Sequence, residues 1–397
     1  MTFGLALLLA LTPGVAASAP GVAVYDYSEP DEGLDKDVRL AIPADLATVR
    51  GIFVHTNANG GDTRERYRQP VFQAFAALHG LAFLGAHNFN SHPTSVTVLQ
   101  HALARFAADS GHRELLNAPF VVYGFSAGAG FANRLLNTLP GRVVASASLS
   151  AAMRTAGEPE VCAVPVCQIS GQQENVLNPY LDEVMKLCRP RGARWSWLTV
   201  EGLGHAERDQ WALALLFLDH CIKLRCPPDA DPRQGPVALR PLDEAAGWLA
   251  DMTTCRAGVT TIAPVGGLKT EPGHSSWLPD QDLAFVYRAY ASFGPRLALT
   301  SPQPAVPVVL TAGAGLPVTV DDGALPGWQH LALYDGAAKL AELTQGPARF
   351  ALGDLKPGVH ALHVLATDAA GQPQVSKPVL VEVRPGPAGT AALSPNR

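Results

Sequence analysis

Between about residues 20 and 225 the chain alternates short, unbroken apolar runs with stretches of helical period, and this alternation limits the fold more than any other feature. Gly51-Ile52-Phe53-Val54-His55, Leu81 to Gly85, Pro119 to Tyr123, Val143 to Leu149, Val164 to Ile169 and Trp195 to Val200 read as strands. Arg66 to His79, Ser95 to Ala108, Gly128 to Leu139, Tyr180 to Cys188 and Ala206 to Ile222 read as helices. A strand that is apolar at every position has no face to offer water, so it needs cover on both sides. Such strands separated by helices predict an α/β fold, a mostly parallel sheet with helices on both faces. Apolar residues make up 47% of the chain and charged residues only 16%, enough for a large core and no basis for wholesale disorder.

The length, 397 residues, suggests more than one domain. Residues 1–19 hold a short apolar stretch ending in Ala17-Ser18-Ala19, the pattern of a secretory signal cut after Ala19, and too short for a comfortable membrane span. Residues 20–225 would be the catalytic domain. After Arg225 the periodicity fades, and 226–295, with its aromatic residues Trp248, Trp277, Phe285, Tyr287, Tyr290 and Phe293, reads as a connector packed on that domain. From 296 to 385, short strands such as Val306 to Thr311, Leu331 to Tyr334, Ala348 to Leu352, His360 to Ala366 and Val379 to Val383 predict a small β-sandwich. The tail, 386–397, is expected to be disordered.

A net charge of −5 and the absence of any Lys/Arg run argue against nucleic acid as a partner. Six cysteines (Cys162, Cys167, Cys188, Cys221, Cys226 and Cys255) in an exported chain suggest disulfides, in 15 pairings that spacing does not resolve. No tight Cys-x-x-Cys pair or matching His spacing points to zinc.

The chemistry centres on Gly124-Phe125-Ser126-Ala127-Gly128, which follows an apolar strand and opens a helix. That is the setting in which a Gly-x-Ser-x-Gly turn lifts a serine out as a nucleophile. A serine hydroxyl needs a base, and a base needs a group to orient it. Glu174 follows Ser126 by 48 residues and His205 follows Glu174 by 31, each just beyond a strand. His205 would take the Ser126 proton and Glu174 would fix the imidazole. Asp182 is the reserve acid, though it falls within a helical stretch. The oxyanion hole would combine the Ala127 N–H with a donor from His55-Thr56-Asn57, Asn57 or Thr56. That loop lacks the Gly-Lys-Ser/Thr ending of a phosphate cradle. His87 and Asn88, at the end of another strand, would lie on the substrate side, since ligands gather at the carboxyl ends of sheet strands.

At these residues the chain resembles the α/β-hydrolase superfamily, and within it secreted esterases of the polyhydroxybutyrate-depolymerase and feruloyl/acetylxylan-esterase kind. The resemblance spans about residues 20–225 and implies an α/β-hydrolase fold, with Ser126, Glu174 and His205 as nucleophile, acid and base. Two positions depart from those esterases: His55-Thr56-Asn57 stands where they have His-Gly, and Glu174 where they usually have Asp. The run from Leu355 to Gly371 resembles a strand of bacterial immunoglobulin-like modules. The expectation is a secreted or periplasmic serine esterase, monomeric, acting without metal or cofactor through an acyl-enzyme on small or polymeric esters, either acyl esters of polysaccharide or a polyester, and off the membrane once the signal is removed. A serine peptidase and a non-catalytic binding protein on the same scaffold are the alternatives. Trp328, Tyr334 and Phe350 are the few aromatic residues with which the β-module could bind sugar; a spacer is the other reading.

Overall fold

The structure is a computed structural model that describes residues 21–384, except 32–33, 152–154, 209, 295–296, 303–307, 322–326 and 354. The expected signal and tail lie outside the described residues. The chain opens with an antiparallel hairpin of β1 (Val22–Asp31) and β2 (Leu34–Pro43). Then come β3 (Gly51–Thr56), α1 (Pro70–His79), β4 (Leu81–His87), α2 (Pro93–Ser110), β5 (Phe120–Phe125), α3 (Ala127–Thr138) and β6 (Val143–Leu149). A short α4 (Pro159–Cys162), β7 (Val166–Gly171), α5 (Leu177–Cys188), β8 (Trp195–Val200) and α6 (Trp211–Arg225) complete the unit.

These strands form one sheet in the order β1-β2-β4-β3-β5-β6-β7-β8. β3 to β8 run parallel to their neighbours, and β2 is antiparallel to β4. This is the α/β-hydrolase fold. Alternate residues of each strand feed two cores. Phe53, Phe83 and Tyr123 meet Phe72 and Phe75 of α1 and Leu213 to Leu218 of α6 on one face. Ile52, Leu84 and Val122 meet Leu99, Phe106, Phe131 and Met185 on the other. β3 and β5 to β7 are buried along their whole length, as runs without a polar face must be.

Three local features differ from the sequence expectation. Arg66 to His79 is not one helix: a 3-10 turn over Arg66–Arg68 ends at Gln69, whose backbone is extended because Pro70 follows. α6 starts at Trp211 rather than Ala206, and His205 stands in the loop between β8 and α6. The β1–β2 hairpin lies outside the expected strands: β1 alternates between part-buried and exposed residues, while β2 buries Val38, Leu40 and Ile42 in the core.

Beyond α6, β9 (Trp248–Asp251), β10 (Ile262–Pro264) and β11 (Ser275–Leu278) make a three-stranded antiparallel sheet, followed by α7 (Gln281–Ala291). Leu283, Val286, Tyr287 and Tyr290 of α7 join the core that includes α6. The last strands are β12 (Ala298–Ser301), β13 (Val308–Thr311), β14 (Leu316–Asp321), β15 (His330–Asp335), β16 (Ala338–Leu343), β17 (Arg349–Leu352), β18 (Gly358–Thr367), β19 (Pro373–Val375) and β20 (Val379–Arg384). They form two sheets, β12-β14-β17 and β13-β20-β18-β15-β16 with β19 on β18, and enclose a separate core of Leu299, Val318, Leu331, Phe350, Val364 and Val381. Phe350 is buried, Tyr334 stacks on His363 and meets Phe285, and Trp328 packs against the core. Of the three, Phe350 is thus closed to a sugar, and Trp328 and Tyr334 are only partly exposed.

The expected disulfides are not formed: all six cysteines are free thiols. Cys162, Cys167, Cys188 and Cys221 are buried and pack as small apolar side chains. Burial pushes the Cys167 thiol up to about 12. Cys162 and Cys188 belong to the same core.

Candidate active site

The turn at Ser126 is built from close backbone approach. β5 ends at Phe125 and α3 begins at Ala127, so Ser126 alone makes the change of direction, at φ 55° and ψ −120°. A non-glycine residue at positive φ costs on the order of 1–3 kcal/mol and persists only where its surroundings fix it. Here the Ser126 N–H donates to the Leu149 carbonyl at 2.8 Å and the Gly130 N–H donates back to the Ser126 carbonyl at 3.0 Å. The flanking glycines are required by space. A Cβ on Gly124 would stand 2.5 Å from the Gly128 carbonyl oxygen, and one on Gly128 would stand 2.5 Å from the Asn57 nitrogen.

Two loops bring the other groups to Ser126. The loop after β7 carries Glu174, and the loop after β8 carries His205. They are laced together: the Gln173 N–H donates to the Leu203 carbonyl at 2.9 Å, and the Gly202 N–H to Gln172 Oε1 at 2.9 Å. Gly171 lets them touch, because a Cβ there would lie 2.3 Å from the Leu203 carbonyl. His205 Nε2 stands 2.8 Å from Ser126 Oγ, and His205 Nδ1 stands 2.7 Å from Glu174 Oε1. Glu174 Oε2 accepts from the Gly171 N–H at 2.6 Å and from the Ser150 hydroxyl at 3.0 Å. Glu174 is buried while the His205 side chain is about half-exposed. Phe125 packs beside the imidazole, with ring centres 5.2 Å apart. Since both donors to Glu174 sit at Oε2, Oε1 is left to accept from Nδ1–H, and the lone pair of Nε2 then faces the serine hydroxyl.

Ala127 is the first residue of α3, where helical N–H groups have no partner within the helix. Asn57 lies against Gly128 on the same side, its Oδ1 accepting from the Ala58 N–H at 2.7 Å. Thr56 is placed differently. It belongs to β3, opposite Gly124, and its buried hydroxyl donates to the Gly128 carbonyl at 2.9 Å. Thr56 thus anchors the loop while Asn57 is the residue beside the turn.

An open cleft of about 1110 Å³ lies on the His205 and Glu174 side of this group, next to Ser126 rather than lined by it. His205, Glu174 and Ser150 form part of its wall; Ser91, Asn133, Arg134, Asn137, Gln173 and Asn175 supply polar lining, and Val176, Leu177 and Tyr180 apolar lining. His87 and Asn88 do not line it. Their side chains turn to the hairpin, His87 Nδ1 to Asp37 at 3.1 Å and Asn88 Nδ2 to the Asp35 carbonyl at 2.8 Å, so Ser91 is the part of that loop that reaches the cleft. Asp182 pairs with Lys186 along α5 at 2.6 Å, away from His205. Sequence reasoning missed Ser150 and Arg134, which sit in no motif and reach the site through the neighbouring strand and helix.

His55, beside the turn in sequence, is fully buried among Phe53, Phe72, Phe83 and Tyr123. Among the described residues, neither ring nitrogen has a hydrogen-bond partner. Burial, aided by the Arg66 charge, lowers its pKa to about 3 from an ordinary 6.5, so the ring is neutral in the fold. Its contribution is present above pH 6.5 and is lost as pH falls toward 3, up to on the order of 4 kcal/mol. His55→Phe should therefore flatten the fall in stability between pH 7 and pH 4, read from urea midpoints. An unchanged slope would remove His55 as its source.

No family model matches the chain, and no curated protein matches it. Among solved structures, a thermostable esterase matches at 13% identity over 45% of this chain and 54% of its own, so the chain spans about half that esterase's length (TM-score 0.37). S-formylglutathione hydrolase from Staphylococcus aureus matches at 12% over 53% and 100% (TM-score 0.35). Fibronectin(III)-like modules from Clostridium thermocellum match at 17% over 22% and 94% (TM-score 0.21).

Proposed function

We propose that the chain is a serine carboxylic-ester hydrolase that works through an acyl-enzyme. The observation that carries this reading is the continuous contact from Ser126 Oγ through His205 to Glu174, at 2.8 and 2.7 Å. In this reading Ser126 Oγ attacks the ester carbonyl carbon as His205 Nε2 takes its proton. Glu174 stabilises the imidazolium, and the N–H groups of Ala127 and Asn57 receive the negative oxygen. His205 then gives the proton to the departing alcohol, leaving the acyl group on Ser126. Water, deprotonated by the same imidazole, releases the acid and restores the serine.

The cleft bears on the substrate. Its amides, hydroxyls and the Arg134 guanidinium suit an alcohol portion rich in hydroxyl groups better than a long hydrocarbon chain. Of the two substrate classes implied by the resemblance, we therefore favour acyl esters of polysaccharide over polyester. The apolar run in residues 1–19 supports a site of action outside the cytoplasm.

Hydrolysis of p-nitrophenyl acetate, butyrate and octanoate, together with acetate release from an acetylated polysaccharide, tests this. Acetate should turn over faster than octanoate by about tenfold or more, with acetate freed from the polymer. Preference for octanoate with attack on a polyester film would reverse the substrate choice. Turnover of amides in preference to esters would replace the esterase with a peptidase.

A further inference from the structure

We infer that Ser150 is a positioning residue of the hydrolytic site, holding the Glu174 carboxylate through its hydroxyl. This rests on the reading of Ser126, His205 and Glu174 given above. Ser150 stands just past the end of β6, the strand beside β5, and it repeats one strand over what Ser126 does. Both serines have positive φ, 54° and 55°. Both donate their N–H to a carbonyl of the next strand: Ser126 to Leu149 at 2.8 Å, and Ser150 to Ile169 at 2.7 Å. The two turns are coupled, because Leu149, which receives Ser126, directly precedes Ser150.

The side chains of the two turns have different targets. Ser126 points its hydroxyl at His205, and Ser150 points its own at Glu174 Oε2 at 3.0 Å. Ser150 is buried, yet it carries a backbone strain that glycine would avoid. Retaining a strained serine there is explained by its hydroxyl. A buried carboxylate needs several donors to stay ionised. Oε1 is committed to His205, so Oε2 depends on the Gly171 N–H and the Ser150 hydroxyl alone among the bonds seen here. With both in place the carboxylate cannot rotate without losing one, and this fixes the direction from which the imidazole is held.

Two substitutions separate a positioning role from a structural one. Ser150→Gly keeps the backbone, which glycine adopts freely, and removes the hydroxyl. Ser150→Thr keeps the hydroxyl but sets a branched side chain at positive φ. The expected pattern is crossed. The glycine variant keeps or raises Tm and loses about tenfold in kcat with KM unchanged, equally for small and bulky esters. The threonine variant loses Tm but retains most of kcat.

Full activity of Ser150→Gly beside an inactive Ser126→Ala would overturn the inference and leave the hydrolase reading intact. A rise in KM with kcat unchanged would make Ser150 a substrate contact and would equally overturn it. Activity that simply follows Tm in both variants would make its role structural. A wild-type protein without hydrolase activity, or one indifferent to Ser126→Ala, would overturn both readings.

Discussion

Ser126→Ala is expected to lower kcat for ester hydrolysis by about 10⁵- to 10⁶-fold while leaving the fold and substrate binding in place. The turn is held by backbone bonds, from the Ser126 N–H to Leu149 and from Gly130 back to the Ser126 carbonyl, and neither involves the hydroxyl. Alanine loses only the oxygen that faces His205 Nε2. Whatever rate remains would come from the Ala127 and Asn57 N–H groups acting on a bound ester without a nucleophile. Steady-state rates, paired with thermal unfolding of the same samples, separate this from a loss of folding. A residual activity of a tenth or more, in a folded variant, would mean that the hydroxyl is not the attacking group.

The second large effect concerns the acid. Glu174→Gln is nearly isosteric, yet it should cost about 10³- to 10⁴-fold in kcat. The Gly171 N–H is fixed in the backbone and must point at an acceptor, so the amide oxygen of the new side chain is forced to the Oε2 position. Its NH2 group is then left facing His205 Nδ1, where the carboxylate had accepted. The imidazole must turn over to the tautomer protonated at Nε2, which can no longer take a proton from Ser126. The loss should therefore fall on kcat, with stability nearly unchanged because the amide is close in shape and its oxygen keeps the Gly171 N–H as donor. A pH–rate study checks this: the variant should lie below the wild type throughout the range. A variant that regained wild-type kcat at any pH would show that neither the Glu174 charge nor the tautomer it fixes is needed for catalysis.

How far the sequence disclosed this site follows from what each part depends on. The parallel strands were legible because burial on both faces leaves runs such as Val143 to Leu149 without a polar residue pointing to water. Ser126 was legible because its turn requires glycine at 124 and 128, where a Cβ would strike backbone at 2.5 Å. Glu174 and His205 were legible from their place just beyond apolar strands. In the β1–β2 hairpin, β1 was hidden by its half-exposed alternation, and β2 by burying only a short apolar set, Val38, Leu40 and Ile42. The start of α1 at Pro70 follows a local rule that the apolar period around it masks. His87 and Asn88 sit at a strand end, as ligand-facing residues do, but the hairpin that claims their side chains is set by tertiary packing. Ser150 and Arg134 depend on which strand neighbours which, and chain order alone does not carry that. The cysteines suited an oxidising compartment by number, whereas the fold places four of them as buried apolar side chains.

The measurement that bears most directly on the central claim is labelling of the wild-type protein with a fluorophosphonate, followed by mass analysis of its peptides. One adduct per chain, on the peptide holding Gly124 to Gly128 and at Ser126, with ester hydrolysis lost in proportion to labelling, is the predicted result. Labelling should slow in Glu174→Gln, because the same imidazole activates the serine toward the phosphorus centre. An adduct on another serine, or full ester hydrolysis by a chain already labelled at Ser126, would contradict the account.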